Sequence, residues 1–217
     1  MNTTASRQTG RLRLGLLLFL ACLFQTGCSL LPEPKADPTR YYVLTGPVAS
    51  EPAHPGQGAL VLGLKSVQVA SYLNGKAMIV RNAPNEIAYQ DFARWAEPLD
   101  VGVGRLVAER LAASEKIKRV YPQPFPFDVE RDYDVRIEVL RCEGARKADG
   151  TTVASFACMV EVTQAKPGGS VVLRKVFSAP ETPWNGQDFS ALARQLSGAL
   201  DALIADVISA LPARDLR

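Results

Sequence analysis

The side chains that most often carry catalysis are scarce in this chain. It has 217 residues and one histidine, His54, which lies in a segment rich in proline and glycine. A catalytic triad built on histidine would have to place its general base in that segment. The four cysteines are not spaced as zinc ligands usually are. The sequence therefore predicts no catalytic set, no metal centre and no bound cofactor.

A glycine pair, Gly102 and Gly104, stands at the start of a predicted helix. The pair lacks the third glycine and the Gly-Lys-Ser/Thr ending of a phosphate-binding loop, so it does not predict nucleotide binding. Each glycine lowers the stability of a helix by about 1 kcal/mol relative to alanine. Close packing of the helix on a sheet would explain the pair, and a close backbone contact with a partner is the alternative.

The cysteine with the most informative surroundings is Cys28. Three arginines near the N-terminus precede an apolar stretch of 11 residues, Leu14 to Phe24, and the small residues Thr26 and Gly27 come directly before Cys28. This order of basic, apolar and small residues is typical of a secretory signal. The apolar stretch is too short to cross a bilayer, because a spanning helix needs about 20 residues.

The residues around Cys28 resemble the lipobox of bacterial lipoproteins. In that family the cysteine carries diacylglycerol through a thioether and becomes the mature N-terminus. The third residue before the cysteine is usually leucine, and here it is Gln25. Cys22 is a rival position, but it would shorten the apolar stretch to eight residues. The resemblance implies a covalent lipid on Cys28, and an ordinary secretory signal is the alternative.

Removal of the predicted signal, residues 1–27, changes the charge balance. The full chain has 25 basic and 22 acidic residues. The signal holds three of the basic residues and no acidic one, which leaves 22 of each in a mature chain of 190 residues. A net charge near zero predicts no basic surface for nucleic acid. The mature length is enough for one domain with its own core.

Residues 28–40 are predicted to form a tether between the lipid and the domain. Pro32, Pro34 and Pro38 resist both helix and sheet, so this segment should be semi-extended. The domain is predicted to span residues 41–211, and residues 212–217 form a C-terminal tail.

Apolar and alternating runs predict seven strands, at 41–44, 60–69, 76–81, 87–90, 133–139, 153–164 and 171–177. Asn74-Gly75 is a strong hairpin signal, so the first strands are predicted to form an antiparallel meander. Turn residues separate the last three strands as well. Antiparallel strands with segregated helices indicate the α+β class.

Two helices follow from apolar residues spaced three and four apart. One face of the first helix carries Leu99, Val103, Leu106, Val107 and Leu111. One face of the second helix carries Phe189, Leu192, Leu196, Leu200, Leu203, Val207 and Leu211. Asp188 is the predicted N-cap of the second helix, and Pro212 is predicted to stop it. We therefore predict a single domain, with a mainly antiparallel sheet and two amphipathic helices packed on one of its faces.

The predicted strands bring Cys142 and Cys158 near each other, in a compartment that permits disulfides. A two-residue turn between the strands would pair Val160 with Val139 on an apolar face, and would leave the cysteines on opposite faces. A three-residue turn would bring the cysteines together, but it would set an apolar side chain against Glu138. The apolar pattern therefore predicts two free thiols, unless a bulge intervenes.

Arg94, Trp95 and Trp184 are the candidate residues for a partner interface, because tryptophan and arginine are enriched at interface hot spots. Trp95 lies just before the first helix, where packing in the core is the alternative. Trp184 follows two prolines in a predicted loop, so we expect it to be partly exposed.

Several motifs occur in a characteristic order. They are Cys28, Tyr41-Tyr42-Val43-Leu44, Tyr72-Leu73, Ile79-Val80-Arg81 and Arg94-Trp95-Ala96-Glu97-Pro98-Leu99, followed by the amphipathic C-terminal helix. This order resembles the ABC-type transport auxiliary lipoprotein family, the PqiC-like proteins. The block from Arg94 to Leu99 is the most specific part of the resemblance.

The resemblance implies a non-enzymatic lipoprotein of a Gram-negative bacterium that faces the periplasm. The family is associated with MCE-domain systems that carry lipid between the two membranes. It therefore implies docking of an MCE-domain protein, a homo-oligomer and a contribution to outer-membrane integrity. Ser29 follows Cys28 in place of aspartate, which implies the outer membrane by the usual sorting rule. A structural lipoprotein that binds peptidoglycan or another envelope protein is the alternative.

Overall fold

The computed structural model describes residues 35–45 and 58–212. The predicted signal, Cys28 and His54 lie outside these residues, as does most of the tether. The unit that begins at Thr39 contains every element described below.

The described part of the chain forms nine strands and two α-helices, in agreement with the α+β class. The strands are β1 (Arg40–Tyr42), β2 (Leu60–Val69), β3 (Ala77–Ala83), β4 (Glu86–Trp95), β5 (Ile117–Pro122), β6 (Tyr133–Arg146), β7 (Thr152–Gln164), β8 (Val171–Ser178) and β9 (Thr182–Pro183). The helices are α1 (Leu99–Ala112) and α2 (Phe189–Ala210). A single 3-10 turn at Ser71–Leu73 connects β2 and β3.

All nine strands belong to one sheet, which is mixed, so the prediction of a mainly antiparallel sheet is wrong. Its order is β1-β4-β3-β6-β2-β5, with β7 on the other side of β6 and with β8 and β9 paired to β7. The β1–β4, β2–β5, β2–β6 and β3–β6 pairs are parallel. The β3–β4, β6–β7, β7–β8 and β7–β9 pairs are antiparallel.

The predicted meander is wrong at its first turn. β2 and β3 both pair in parallel with β6, β2 along residues 133–139 and β3 at residues 144–145. Two strands that run in the same direction cannot be joined by a hairpin, so Asn74-Gly75 does not close one. The 3-10 turn instead buries Leu73, which is 2% exposed, and carries the chain along the side of β6.

Both helices carry the predicted apolar stripes. The five predicted α1 residues are at most 4% exposed, and the α2 stripe from Leu192 to Leu211 is at most 2% exposed. α1 packs on β2 and β5, and α2 packs on β6, β7 and β8. The helices also contact each other, so they share one face of the sheet. The Asp188 side chain accepts hydrogen bonds from the amides of Ser190 and Ala191, which confirms the predicted N-cap.

Cys142 and Cys158 are both free and buried, as predicted, but the predicted register is wrong. Val160 pairs with Ile137 rather than with Val139. The turn between the paired residues Arg146 and Thr152 is longer than two residues and sets Cys142 opposite Phe156. A bulge between Val139 and Arg141 then shifts the register by one more residue, so that Cys158 pairs with Val139. The apolar face is kept because a shift of two residues returns each side chain to the same face.

The two thiols are expected to resist alkylation in the folded protein. Burial raises the pKa of the Cys158 thiol to about 12 and raises the pKa of Cys142 as well, so both stay protonated at pH 8. Iodoacetamide should label neither cysteine before denaturation and both after it, because the thiolate is the nucleophile. A Cys142–Cys158 peptide pair in an unreduced digest, or rapid labelling of the native protein, would contradict this expectation.

Candidate partner surface

The three residues predicted to contact a partner lie in two different environments. Arg94 is exposed on β4, whereas Trp95 is 4% exposed and Trp184 is 6% exposed. Successive residues of a strand point to opposite faces, which explains why Arg94 and Trp95 differ. Trp95 therefore packs in the core, which was its alternative, and the expected partial exposure of Trp184 is wrong. Of the three, Arg94 is the side chain that a partner can reach.

Trp184 is buried because it packs across Gly144 of β6. A Cβ atom on Gly144 would lie 2.6 Å from Cζ3 of Trp184, so the indole ring reaches the sheet only where a side chain is missing. The indole Nε1 donates to the Asp188 carbonyl at 2.7 Å, and the ring meets Phe189 edge-on with centroids 5.3 Å apart. The Trp184 amide donates to the Thr152 carbonyl at 2.9 Å. Trp184 thus packs between the start of α2 and the sheet and holds the two in contact.

The backbone of the block from Arg94 to Leu99 fixes the position of β1. The Ala96 amide donates to the Tyr42 carbonyl at 2.8 Å, and the Trp95 amide donates to the Lys76 carbonyl at 2.7 Å. β1 is therefore held against the end of β4. The block from Arg94 to Leu99, which is the most specific part of the family resemblance, therefore holds in place the first strand after the tether.

Side-chain contacts between this block, α1 and the end of the segment after β1 also hold β1 in place. Arg105 on α1 donates to Glu97 Oε1 at 2.7 Å and to the Leu44 carbonyl at 2.9 Å. The hydrogen bond with Glu97 raises the pKa of Arg105. A Cβ atom on Gly102 would lie 3.1 Å from the same Glu97 oxygen. Gly102 therefore leaves room for Glu97, whereas Gly104 packs over the sheet, with Val67 at 3.6 Å from its Cβ position.

Two other motif residues, Tyr72 and Arg81, meet a carboxylate that the sequence did not single out. Glu143 on β6 is 1% exposed and accepts a hydrogen bond from Arg81 Nε at 2.5 Å. The Arg81 guanidinium lies 5.6 Å from the centroid of the Tyr72 ring, and the Tyr72 hydroxyl donates to the Leu140 carbonyl at 2.9 Å. Burial and the Glu143 charge raise the pKa of Tyr72 to about 12, so its hydroxyl stays a donor at neutral pH. The cluster joins the 3-10 turn to β3 and β6.

One side of β1 is open. Both the amide and the carbonyl of a residue in a parallel strand point to the same neighbour, and the next residue points the other way. The Tyr42 carbonyl faces β4, so the backbone groups of Tyr41 and Val43 face away from it. No strand among the described residues pairs with β1 on that side. The side chains of Tyr41 and Val43 are 62% and 42% exposed.

A groove of about 620 Å³ lies between this open side and α2, and we call it the β1 groove. Its walls include Tyr41, Tyr42 and Val43 on one side and Ala193, Arg194 and Gly198 on the other. Apart from α2 itself, no atom of the described residues lies within 4 Å of the Cβ position of Gly198, so the α2 wall is open there. The amide of Thr45 donates to Ser197 Oγ at 3.0 Å and closes one end of the groove.

Arg194 on α2 lines the β1 groove, and Arg40 on β1 lines an adjoining pocket that shares Tyr41, Tyr42 and Ser190 with it. Arg94 on β4 pairs with Tyr41, on the side of β1 away from the open edge. None of the three arginines forms an ion pair with a residue that the structure describes. Asp201 also lines the groove and Asp188 lines the adjoining pocket, and both are already engaged. Asp188 caps α2, and Asp201 pairs with Arg110 at 3.1 Å. Arg194 in the groove and Arg40 in the adjoining pocket are therefore two positive charges without an ion-pair partner among the described residues.

Other kinds of site find no support in residues 35–45 and 58–212. No group of three or more histidine, cysteine, aspartate or glutamate residues in these ranges could hold a metal ion. No helix in the same ranges is long and apolar enough to cross a membrane. Phe127, in the connection between β5 and β6, is fully exposed and belongs to no cluster described above.

Residues 42–208 match the model of a family described as ABC-type transport auxiliary lipoprotein component. The comparison with curated proteins finds no match. Among solved structures, protein XCC0632 from Xanthomonas campestris is 22% identical, with a TM-score of 0.64 over 78% of this chain and 93% of that chain. An uncharacterized protein is 17% identical, with a TM-score of 0.59 over 79% of this chain and 97% of that chain. At these identities the structural likeness shows a shared fold alone.

Proposed function

Because the chain belongs to the family of ABC-type transport auxiliary lipoprotein components, we propose that it is the lipid-anchored auxiliary subunit of an MCE-type intermembrane lipid transport system. In this role it docks an MCE-domain protein at the outer membrane and thereby contributes to outer-membrane integrity. The family match over residues 42–208 is the observation that carries the proposal.

The position of the open edge supports a docking role. β1 is the first element after the tether, and Cys28 lies twelve residues before Arg40. At 3.3–3.6 Å per residue, the tether spans at most about 43 Å. A lipid on Cys28 would therefore hold the β1 groove near the membrane, where a partner reaching across the periplasm ends. The acidic and basic residues of the mature chain balance, so local charge rather than net charge would guide that partner.

Arg94 tests this contact because its side chain is exposed and has no ion pair among the described residues. We expect Arg94→Glu to weaken capture of the MCE-domain protein by about tenfold, which corresponds to roughly 1.4 kcal/mol. The melting temperature should not change. The measurement is a pull-down with the full-length lipoprotein in detergent, combined with a thermal melt.

The matched control is Lys118→Glu. Lys118 is also exposed, but it lies on β5, at the other end of the strand order from β1, and it makes no ion pair that the structure describes. Equal capture by the wild type and by both variants would remove Arg94 from the interface. Equal losses in both variants would show an effect of charge in general rather than of this surface.

A further inference from the structure

We propose that the β1 groove binds an extended, acidic segment of the partner, which pairs with β1 as an additional strand of the sheet. The inference rests on the proposed function, because it takes the partner to be the MCE-domain protein. It goes further in naming the kind of segment that binds and the backbone groups that bind it.

The backbone of β1 supplies the first argument. Tyr41 and Val43 lie two residues apart, so their amide and carbonyl groups face the same open side. A chain in extended conformation offers donors and acceptors at the same spacing and can satisfy both residues. Addition of a strand to an exposed edge is a common mode of peptide recognition. The three-residue length of β1 implies a short pairing, and the walls of the groove must supply the remaining contacts.

The shape of the groove supplies the second argument. The wall opposite β1 is made by small residues of α2, Ala193 and Gly198, with open space beside Gly198. An incoming strand points alternate side chains to opposite faces. One set would lie beside the exposed Tyr41 ring on the outer face of the sheet, and the other set would enter the space in front of α2.

The charges at the groove indicate which residues the bound segment should contain. Arg194 in the groove and Arg40 in the adjoining pocket stand on two different elements and form no ion pair with a described residue. The nearby carboxylates of Asp188 and Asp201 are already engaged. A segment with aspartate or glutamate would complement the arginines, whereas a basic segment would be repelled.

Other occupants fit less well. The segments of this chain on either side of β1, residues 28–39 and 46–57, each contain three prolines, which have no amide hydrogen to donate to a strand. A second copy paired through its own β1 would bring Arg40 and Arg194 of both copies together. An anionic lipid headgroup could accept hydrogen bonds from the amides, but a phosphate diester has no donor for the carbonyls of Tyr41 and Val43.

Photo-crosslinking in cells tests the assignment directly. The full-length lipoprotein carries p-benzoylphenylalanine in place of Tyr41, and a matched protein carries it in place of Phe127, which is more exposed than Tyr41 and lies beyond β5. The expected result is a crosslink from position 41 to an acidic segment of the MCE-domain protein, and none to that segment from position 127.

A pair of substitutions at Val43 isolates the backbone contribution. Val43→Pro removes the amide hydrogen that faces the groove, whereas Val43→Ala removes most of the side chain and keeps that hydrogen. Capture of the MCE-domain protein should fall by about tenfold or more for Val43→Pro and stay within about twofold of the wild type for Val43→Ala. Arg194→Glu changes only α2, and it should lower capture by a similar factor even if Val43→Pro fails to fold.

The possible outcomes separate this inference from the proposed function. Crosslinks from position 41 to an acidic segment of a different protein would keep the strand inference and overturn the MCE partner. Crosslinks to the MCE-domain protein from other positions only, or equal capture by the wild type, Val43→Pro and Arg194→Glu, would overturn the strand inference. A crosslink from position 41 to a second copy or to lipid would overturn it as well.

Discussion

The protein with Cys28 replaced by alanine is expected to lose its acyl label and to leave the outer-membrane fraction. Each buried CH₂ group contributes about 0.8 kcal/mol to membrane binding, so a lipid with more than one acyl chain gives stable attachment. Loss of the thioether should therefore remove almost all attachment.

Metabolic labelling with a fatty acid, followed by separation of the membranes, measures this effect. Cys22→Ala is the matched control, because Cys22 is the rival position in the same apolar stretch. It should leave both labelling and fractionation unchanged. If Cys28→Ala is still acylated and still sediments with the outer membrane, lipidation has been assigned to the wrong residue.

Trp184→Ala is expected to lower the free energy of unfolding by about 3–5 kcal/mol, as truncation of a large buried aromatic side chain usually does. The indole ring fills the space over Gly144, contacts Phe189 and donates to the Asp188 carbonyl at the start of α2. Its removal leaves a cavity and an unpaired carbonyl at the same point. Urea unfolding followed by circular dichroism measures the loss.

Trp184→Phe separates the two contributions, because phenylalanine keeps an aromatic ring but lacks the indole N–H. Its loss should be smaller than that of alanine. Capture of the MCE-domain protein by Trp184→Phe should match the wild type under conditions where the variant is folded. Unchanged stability together with lost capture would instead mean that Trp184 meets a partner.

The helices could be read from the sequence because their signals are local. The apolar stripe, the Asp188 N-cap and the following proline all lie within or beside the helix that they define. The strand order could not be read in the same way. The parallel pairings of β2 and β3 with β6 join residues that are 60 or more positions apart, and they override the local hairpin preference of Asn74-Gly75.

The environments of individual side chains depended on the same distant pairings. Trp184 can be buried because Gly144, 40 positions earlier, leaves space for its ring. Glu143 can be buried because Arg81, on β3, donates a hydrogen bond to it. An arginine in the otherwise apolar run of β3 was the one signal that could have pointed to a buried carboxylate. The bulge between Val139 and Arg141 leaves no mark in the apolar pattern.

Only part of the candidate partner surface could be predicted from the sequence. Arg94 was predicted from its motif and is exposed, but Arg40 and Arg194 are found at two adjoining pockets only once β1 is known to be the outermost strand beside α2. No sequence pattern identifies an edge strand of three residues. The two tryptophans were predicted at the interface because tryptophan is enriched at interface hot spots, but both make their contacts in the core.

The central claim is that this lipoprotein docks an MCE-domain protein, and the most direct measurement is purification of the wild-type, full-length protein after crosslinking in cells. Mass spectrometry of the crosslinked complexes identifies what is bound. The account predicts that an MCE-domain protein is recovered together with the lipoprotein, and that about tenfold less of it is recovered when Arg94 is replaced by glutamate. Repeated recovery of peptidoglycan or other envelope proteins, with no MCE-domain protein, would contradict the claim and favour a structural envelope lipoprotein.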